Sequence, residues 1–295
     1  MVSLTLSLTF IHSLNMFKTQ LFFLFLFIYS FSVNAAEKFR VCADPLNPPY
    51  STKEQTGYEN KIAQLFATQL GQELEYYWFP QRIGFIRNTL KSEIEGTDQF
   101  KCDVVMGVPT GFDFAKTTKP YFHSTYTLII AKGRGWDNIS SPEQLADQPL
   151  QKIENMKIAM FDRGPGTAWL QKMGLLDQGI PYQSMTGDDK NNVAMQIEKD
   201  LKAGKIDMVI LWGPLSGYIT SKSPEGSYIV LPMQSTPDIK FDFSMSMAVR
   251  YGDNERKAML ERLIDKNSDK IIQIIESYRI PVLPIPKQSP RHDDD

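Results

Sequence analysis

"KCDVVMGVPTGFDFAKTTKPYF" (101–122) decides the fold. Its apolar run at 104–108 reads as a buried strand that carries Gly107 and stops at Pro109. A polar stretch follows and ends in the pair Pro120 and Tyr121. Working outward, "FRVCADP" (39–45) is a strand stopped by proline. "NKIAQLFATQLG" (60–71) sets Ile62, Leu65, Phe66 and Leu70 near helical spacing and closes on Gly71. "ELEYYWFP" (73–80) is a second strand, and "GFIRNTLKSEI" (84–94) a second helix. The opening stretch then supplies the third strand of a β-α-β-α-β series, the order of a parallel α/β sheet.

A second series of similar units follows. "YTLIIAKG" (126–133) and "MKIAMFD" (156–162) are strands, and "SSPEQLAD" (140–147) has the serine cap and first-turn proline of a helix start. "RGPGT" (163–167) opens a helix, "NNVAMQIEKDLKAGK" (191–205) is another, and "IDMVILW" (206–212) is the strand after it. "FSMSMAVRYGD" (243–253) is a further strand, 254–280 is closing helical material, and the proline-rich, acidic end has no core-forming pattern. Two α/β units joined by two extended crossings predict two lobes around a cleft. Lobe 1 is discontinuous, 36–127 with 246–283; lobe 2 is 128–245, and 284–295 is a flexible tail. Ligands in such sheets sit beyond the carboxyl ends of the strands. That rule gathers Asp44, Tyr50, Arg82, Phe85, Arg87, Pro109, Thr110, Arg163, Gly166, Thr167, Trp212 and Gly213 around one cleft.

Composition removes other classes. The 295 residues are 42% apolar and 22% charged, a globular balance, and a formal net charge of −2 supplies no field for nucleic acid. Met16 and Lys18 precede an apolar run at 21–33 that ends in small residues, the pattern of a signal peptide over 16–35 cleaved after Ala35. Residues 1–15 then lie upstream of a better start. The apolar run is shorter than the roughly 20 residues a membrane span needs, and no later segment qualifies. Cleavage removes Lys18 alone among the 32 basic residues and none of the 34 acidic ones. The mature chain is thus expected in an oxidising compartment, most simply a bacterial periplasm. There Cys42 and Cys102 are either one disulfide or two buried thiols. With His12 ahead of the mature chain and His292 in the tail, His123 stands alone and no metal site is expected.

At this point the chain resembles the periplasmic solute-binding proteins of family 3, with the two-lobed type 2 fold. "RVCADPLNPPYS", "WFPQRIGFIRNTL", "CDVVMGVPTG", "TTKPYFHSTY" and "LWGPLSGY" are similar to its quinoprotein-dehydrogenase-associated branch, the MoxJ and XoxJ type. The resemblance implies a non-enzymatic periplasmic accessory factor of a dehydrogenase for methanol or another alcohol that depends on pyrroloquinoline quinone (PQQ). Its partners would be that dehydrogenase and a c-type cytochrome, and its role assembly, activation or cofactor handling. The alternative is the receptor of an ABC importer for a small organic anion other than an amino acid.

Two departures from amino-acid receptors matter. Where those carry an arginine nine residues before the Pro-Tyr pair, this chain has Gly111; where they carry an aspartate after the lobe 2 strand, it has Trp212. A buried zwitterion would leave both charges unpaired, at a cost of several kcal/mol each. The cleft expected instead is aromatic and cationic: Trp212, Tyr50, Phe85 and Trp78 with Arg82, Arg87 and Arg163, and free N–H groups at "RGPGT". It suits a planar polycarboxylate such as PQQ, or an acidic protein segment. Catalysis would draw on Asp44, Glu59 and Asp103, but no nucleophile–base arrangement is visible, and no Ser-His-Asp set is expected around His123.

Overall fold

A computed structural model describes residues 37–185 and 190–287. The leader 16–35, residues 1–15 and the tail from 288 on lie outside the described residues. From Lys38 on the chain forms one compact unit.

Strand β1 (Lys38–Ala43), followed by a short hairpin of β2 (Leu46–Asn47) and β3 (Ser51–Thr52), pairs in parallel with β4 (Glu73–Trp78) on one side and β5 (Val104–Pro109) on the other. Helix α1 (Tyr58–Leu70) packs on them through Ile62, Ala63 and Phe66 and ends at Gly71, whose φ of 64° is the left-handed cap that glycine favours. The two strands that matter most are β7 (Phe122–Ala131) and β12 (Asp242–Val249). The start of β7 pairs antiparallel with the start of β12, Phe122 opposite Met245 and Thr125 opposite Asp242. From Tyr126 on, β7 leaves β12 and pairs with β10 (Met208–Trp212) and β11 (Tyr228–Pro232). Beyond Met245, β12 pairs with β5 and the short β6 (Lys116–Thr117). Past β10 come β8 (Ile158–Phe161) and β9 (Gly179–Tyr182), in parallel. The sheet is therefore mixed, with parallel wings on antiparallel crossings.

The apolar cores follow this split. Phe39, Val41, Phe66, Met106, Met247 and Ile271 share one cluster under α1 and the closing helices. In the second half, Leu128 and Ile130 face one cluster, while Ile129 and Ala131 face another. A strand covered on both faces is apolar without alternation, which is why "YTLIIA" reads as a continuous run.

Several elements depart from the sequence reading. The helix expected over 84–94 is one turn, Phe85–Asn88, because Thr89 turns its hydroxyl back onto the Phe85 carbonyl. The chain then buries Leu90 and closes a bridge between Glu93 and Phe100. "SPEQL" is a capped 3-10 turn. Strands β9 and β11 and the helix Gly213–Ser221 were not predicted.

Cys42 and Cys102 form a disulfide across 60 residues. Next to it, the buried Asp103 accepts from Arg40 Nε at 2.8 Å and Arg250 Nη2 at 2.7 Å. Arg250 also donates to the Leu90 and Cys102 carbonyls and lies over the Phe100 ring. Removing one partner of a buried ion pair costs about 3–5 kcal/mol, and closing a loop of this length stabilises by about 4 kcal/mol in the chain-entropy model. Urea denaturation of Asp103→Ala, and separately of the Cys42→Ala/Cys102→Ala double variant, is expected to show losses of those sizes.

Candidate functional site

A cavity of about 1010 Å³ opens between the carboxyl end of the lobe 1 strands and the second half of the molecule. Its walls come from "ADPLNPPY" after β1, α1, the loop at 81–87, β5 and the residues after it, and Trp212 and Leu215 from beyond β10. The lining changes character with depth.

The floor is acidic and aromatic. Asp44 is buried and accepts from Leu46 N at 2.7 Å and Gln81 N at 2.5 Å. It thus fixes the loop after β1 to the loop after β4 while facing the cavity. Loss of solvent raises its pKa, and the two backbone donors pull it partly back. Glu59, in the first turn of α1, lies against β5 and is pushed up to about 8 by burial; the Tyr58 hydroxyl lowers it and the Asp44 charge raises it. Tyr50, Trp212 and Met245 complete this part of the lining. Trp212 also meets Tyr126 at 5.5 Å and Phe243 at 5.8 Å between ring centroids, so it fills the crossing of the lobes and lines the cavity at once.

The rim is cationic and apolar. Ile83 is 95% exposed, Phe114 63% and Met185 51%, and all three line the cavity. Arg82 lies over the Phe79 ring at 4.7 Å and Lys91 over Tyr251 at 5.5 Å. Neither these two nor Arg87 has a carboxylate partner among the described residues. Asn192 caps helix Val193–Lys202 through its Oδ1 and donates from Nδ2 to the Leu46 carbonyl at 3.2 Å, bridging the two sides of the cavity.

Of the residues expected at the site, the structure brings Asp44, Tyr50, Arg82, Phe85, Arg87, Pro109 and Trp212 into the lining. It places five elsewhere. Thr110 hydrogen-bonds to the Ser244 carbonyl and the Ser246 hydroxyl, tying the end of β5 to β12. Arg163 is exposed away from the lining. Gly166 abuts Ile210, and a side-chain carbon there would meet it at 3.0 Å. Thr167 donates to the Phe161 carbonyl. Gly213 packs on β7, where a side-chain carbon would meet Ser124 Oγ at 2.4 Å. None of the residues of "RGPGT" is among those that line this cavity. Asn47 and Gln81 lie within the stretches after β1 and β4 that the strand-end rule places at the cleft, whereas Asn192 lies outside every such stretch and, as a polar loop residue, carries no pattern of its own. Glu59, which the sequence offers as a candidate catalytic acid, also lines the cavity.

His123 is a second correction. Its Nδ1 lies 2.9 Å from Ser244 Oγ and its Nε2 2.9 Å from Asp242 Oδ2, so a Ser-His-Asp chain does exist. It joins β7 to β12 across their pairing, outside the cavity lining. Ser235 and His123 bond the Asp242 carboxylate and hold its pKa down against partial burial. This chain latches the crossing strands. Among the described residues no group of side chains could hold a metal ion, and no helix is long and apolar enough to cross a membrane.

No family model matches the chain. Protein MoxJ of Methylorubrum extorquens is 26% identical over 258 residues, 83% of this chain and 82% of its own length. Protein MoxJ of Paracoccus denitrificans is 23% identical over 266 residues, 83% of this chain and 89% of its own length. The crystal structure of the periplasmic binding protein XoxJ from Methylobacterium extorquens AM1 has a TM-score of 0.66 and 29% identity, covering 84% of this chain and 100% of that one. The chain is homologous to MoxJ and has the type 2 periplasmic binding fold.

The charge of Glu59 has a consequence for stability. Its folded pKa, about 8, lies above the ordinary 4.5. Its contribution is thus fully present below about pH 4.5 and lost as pH rises through about 8. In urea titrations across that range the wild type should lose stability relative to Glu59→Gln, and the difference should level off above it.

Proposed function

We propose that this homologue of the MoxJ proteins is a non-enzymatic periplasmic accessory protein of methanol or alcohol oxidation. It serves a PQQ-dependent dehydrogenase, and its cytochrome partner, in assembly, activation or cofactor handling. The homology supplies the system; the observation that carries the mode of action is the cavity rim. Three exposed apolar side chains, Ile83, Phe114 and Met185, stand beside three cations without carboxylate partners among the described residues, Arg82, Arg87 and Lys91. Apolar anchors ringed by unneutralised positive charge suit a protein segment with acidic residues around an apolar centre. A binding protein used in this way needs neither the zwitterion clamp of amino-acid receptors nor catalytic groups.

The test is copurification. The tagged protein, expressed in a methanol-oxidising host, should retain the dehydrogenase at low salt and release it as salt rises, because exposed charges are screened. Arg82→Glu/Arg87→Glu should abolish retention while leaving the melting temperature within a few degrees. Retention unchanged by both salt and charge reversal would overturn this use of the rim. An import receptor would show no such retention.

PQQ is a second reading for the same cavity, favoured by two guanidinium groups for its carboxylates and by Trp212 as a flat neighbour. The carboxyl groups of Asp44 and Glu59 oppose a polyanion on the floor, so the reading confines the quinone to the rim half. Quenching of tryptophan fluorescence on titration with PQQ is the expected result, weakened in Arg82→Glu/Arg87→Glu. Absence of both quenching and heat would remove it.

A further inference from the structure

The floor of the cavity holds an acid that no cation among the described residues is seen to neutralise. Glu59 Oε1 approaches β5 so closely that a side-chain carbon at Gly107 would lie 2.2 Å from it. The titratable groups that face it from the surrounding elements are all acidic or phenolic: Asp44 after β1, Tyr50 in the hairpin, Tyr58 on α1, Tyr76 on β4 and Tyr121 before β7. The cations that line the cavity, Arg82, Arg87 and Lys91, are exposed on its rim, and none pairs with Glu59. A second observation points the same way. The buried hydroxyl of Tyr121 has no hydrogen-bond partner among the described residues. The same carbon at Gly107 would lie 3.6 Å from Tyr121 Oη, so this unmet hydroxyl and the Glu59 carboxyl flank one point.

We propose that the cavity floor is a site for an organic ammonium group, seated on the Glu59 carboxylate beside the rings of Tyr50 and Trp212, with Asp44 as the second negative charge. The ligand brings the positive charge that the site lacks. An aromatic ring next to a carboxylate attracts an ammonium through both its face and its neighbour's charge. Met245 and Leu215 offer apolar surface to the rest of the molecule. A zwitterion is disfavoured, because its carboxylate would meet Asp44 and no floor cation. In the empty cavity near neutral pH, Glu59 keeps its proton. Binding of R–NH₃⁺ leaves the N–H bonds intact, ionises Glu59 and releases one proton to solvent.

This inference rests on reading the cavity as a ligand-binding one and names the chemistry of its deepest part. The probe is benzylammonium, with benzyl alcohol as the neutral isostere, titrated calorimetrically into the full mature chain. At pH 6.5, comparison of two buffers with different ionisation enthalpies should show about one proton released per benzylammonium bound. Its Kd should fall about tenfold per pH unit as pH rises from 6 to 8, then level off, while benzyl alcohol binds weakly throughout. Glu59→Gln, checked for fold by near-UV circular dichroism, should lose the proton release and the pH dependence. The proposal is overturned if benzylammonium binds no more tightly than the alcohol between pH 6 and 9, or if proton release survives in Glu59→Gln. The wild-type comparison decides alone should that variant fail to fold. Copurification of the dehydrogenase is scored on the same preparation. Its absence counts against the accessory reading, while the titration alone judges the floor.

Discussion

The lobe 1 framework depends on one buried carboxylate. Asp103 sits at the entrance to β5, where Arg40 of β1 and Arg250, just past β12, converge on it, with Arg256 at 3.9 Å. These residues come from three neighbouring strands of the sheet and the helix after them, 63 and 147 residues away in sequence from their common partner. A charge this deep is tolerable only with several donors around it, so the arrangement is satisfied in full or fails. The adjacent disulfide fixes β1 to the start of β5 covalently. Together they set the ends of the strands from which the cavity is built.

From that base the molecule separates charge by depth. Cations occupy mobile-length side chains on the exposed loop at 81–87 and at Lys91, where water lowers the cost of leaving them unpaired. Carboxyl groups occupy the floor, where burial shifts them toward their neutral forms. A pocket for a free amino acid would need both signs at one depth. Here they are held apart, an arrangement that fits the acidic segment proposed for the mouth and the ammonium group proposed for the floor better than a small zwitterion.

Much of the framework was legible from residues. β1, α1, β4, β5, β8 and β10 each carry a run of apolar residues with a glycine, proline or asparagine at its border, and these boundaries are physical instructions. The expected cysteine pairing was left open by spacing alone and is decided by the parallel register that sets Cys42 beside Val105. What stayed hidden was of two kinds. Strands β9 and β11 are short edge segments with half-exposed faces, too weakly patterned to stand out. The Ser244–His123–Asp242 latch and the Asn192 bridge join residues 119 to 146 positions apart, through contacts that no local spacing encodes.

Gly107 shows how a hidden contact leaves a visible mark. A glycine inside an apolar strand weakens it and lacks a side chain to pack, so its presence asks for a reason. The structure supplies one from another element: Glu59 lies where the first side-chain carbon of any other residue would stand. The same logic runs back to "GYEN". Gly57 admits the Tyr50 backbone, since a side-chain carbon there would lie 2.0 Å from the Tyr50 carbonyl oxygen. Asn60 accepts from Thr52 N and Gly57 N, fixing the start of the helix that carries Glu59. Two glycines and an asparagine thus hold one acid against one strand. Their arrangement makes sense as the seat of a functional group, because a folded core at this point would be more stable with an apolar side chain in place of the carboxyl.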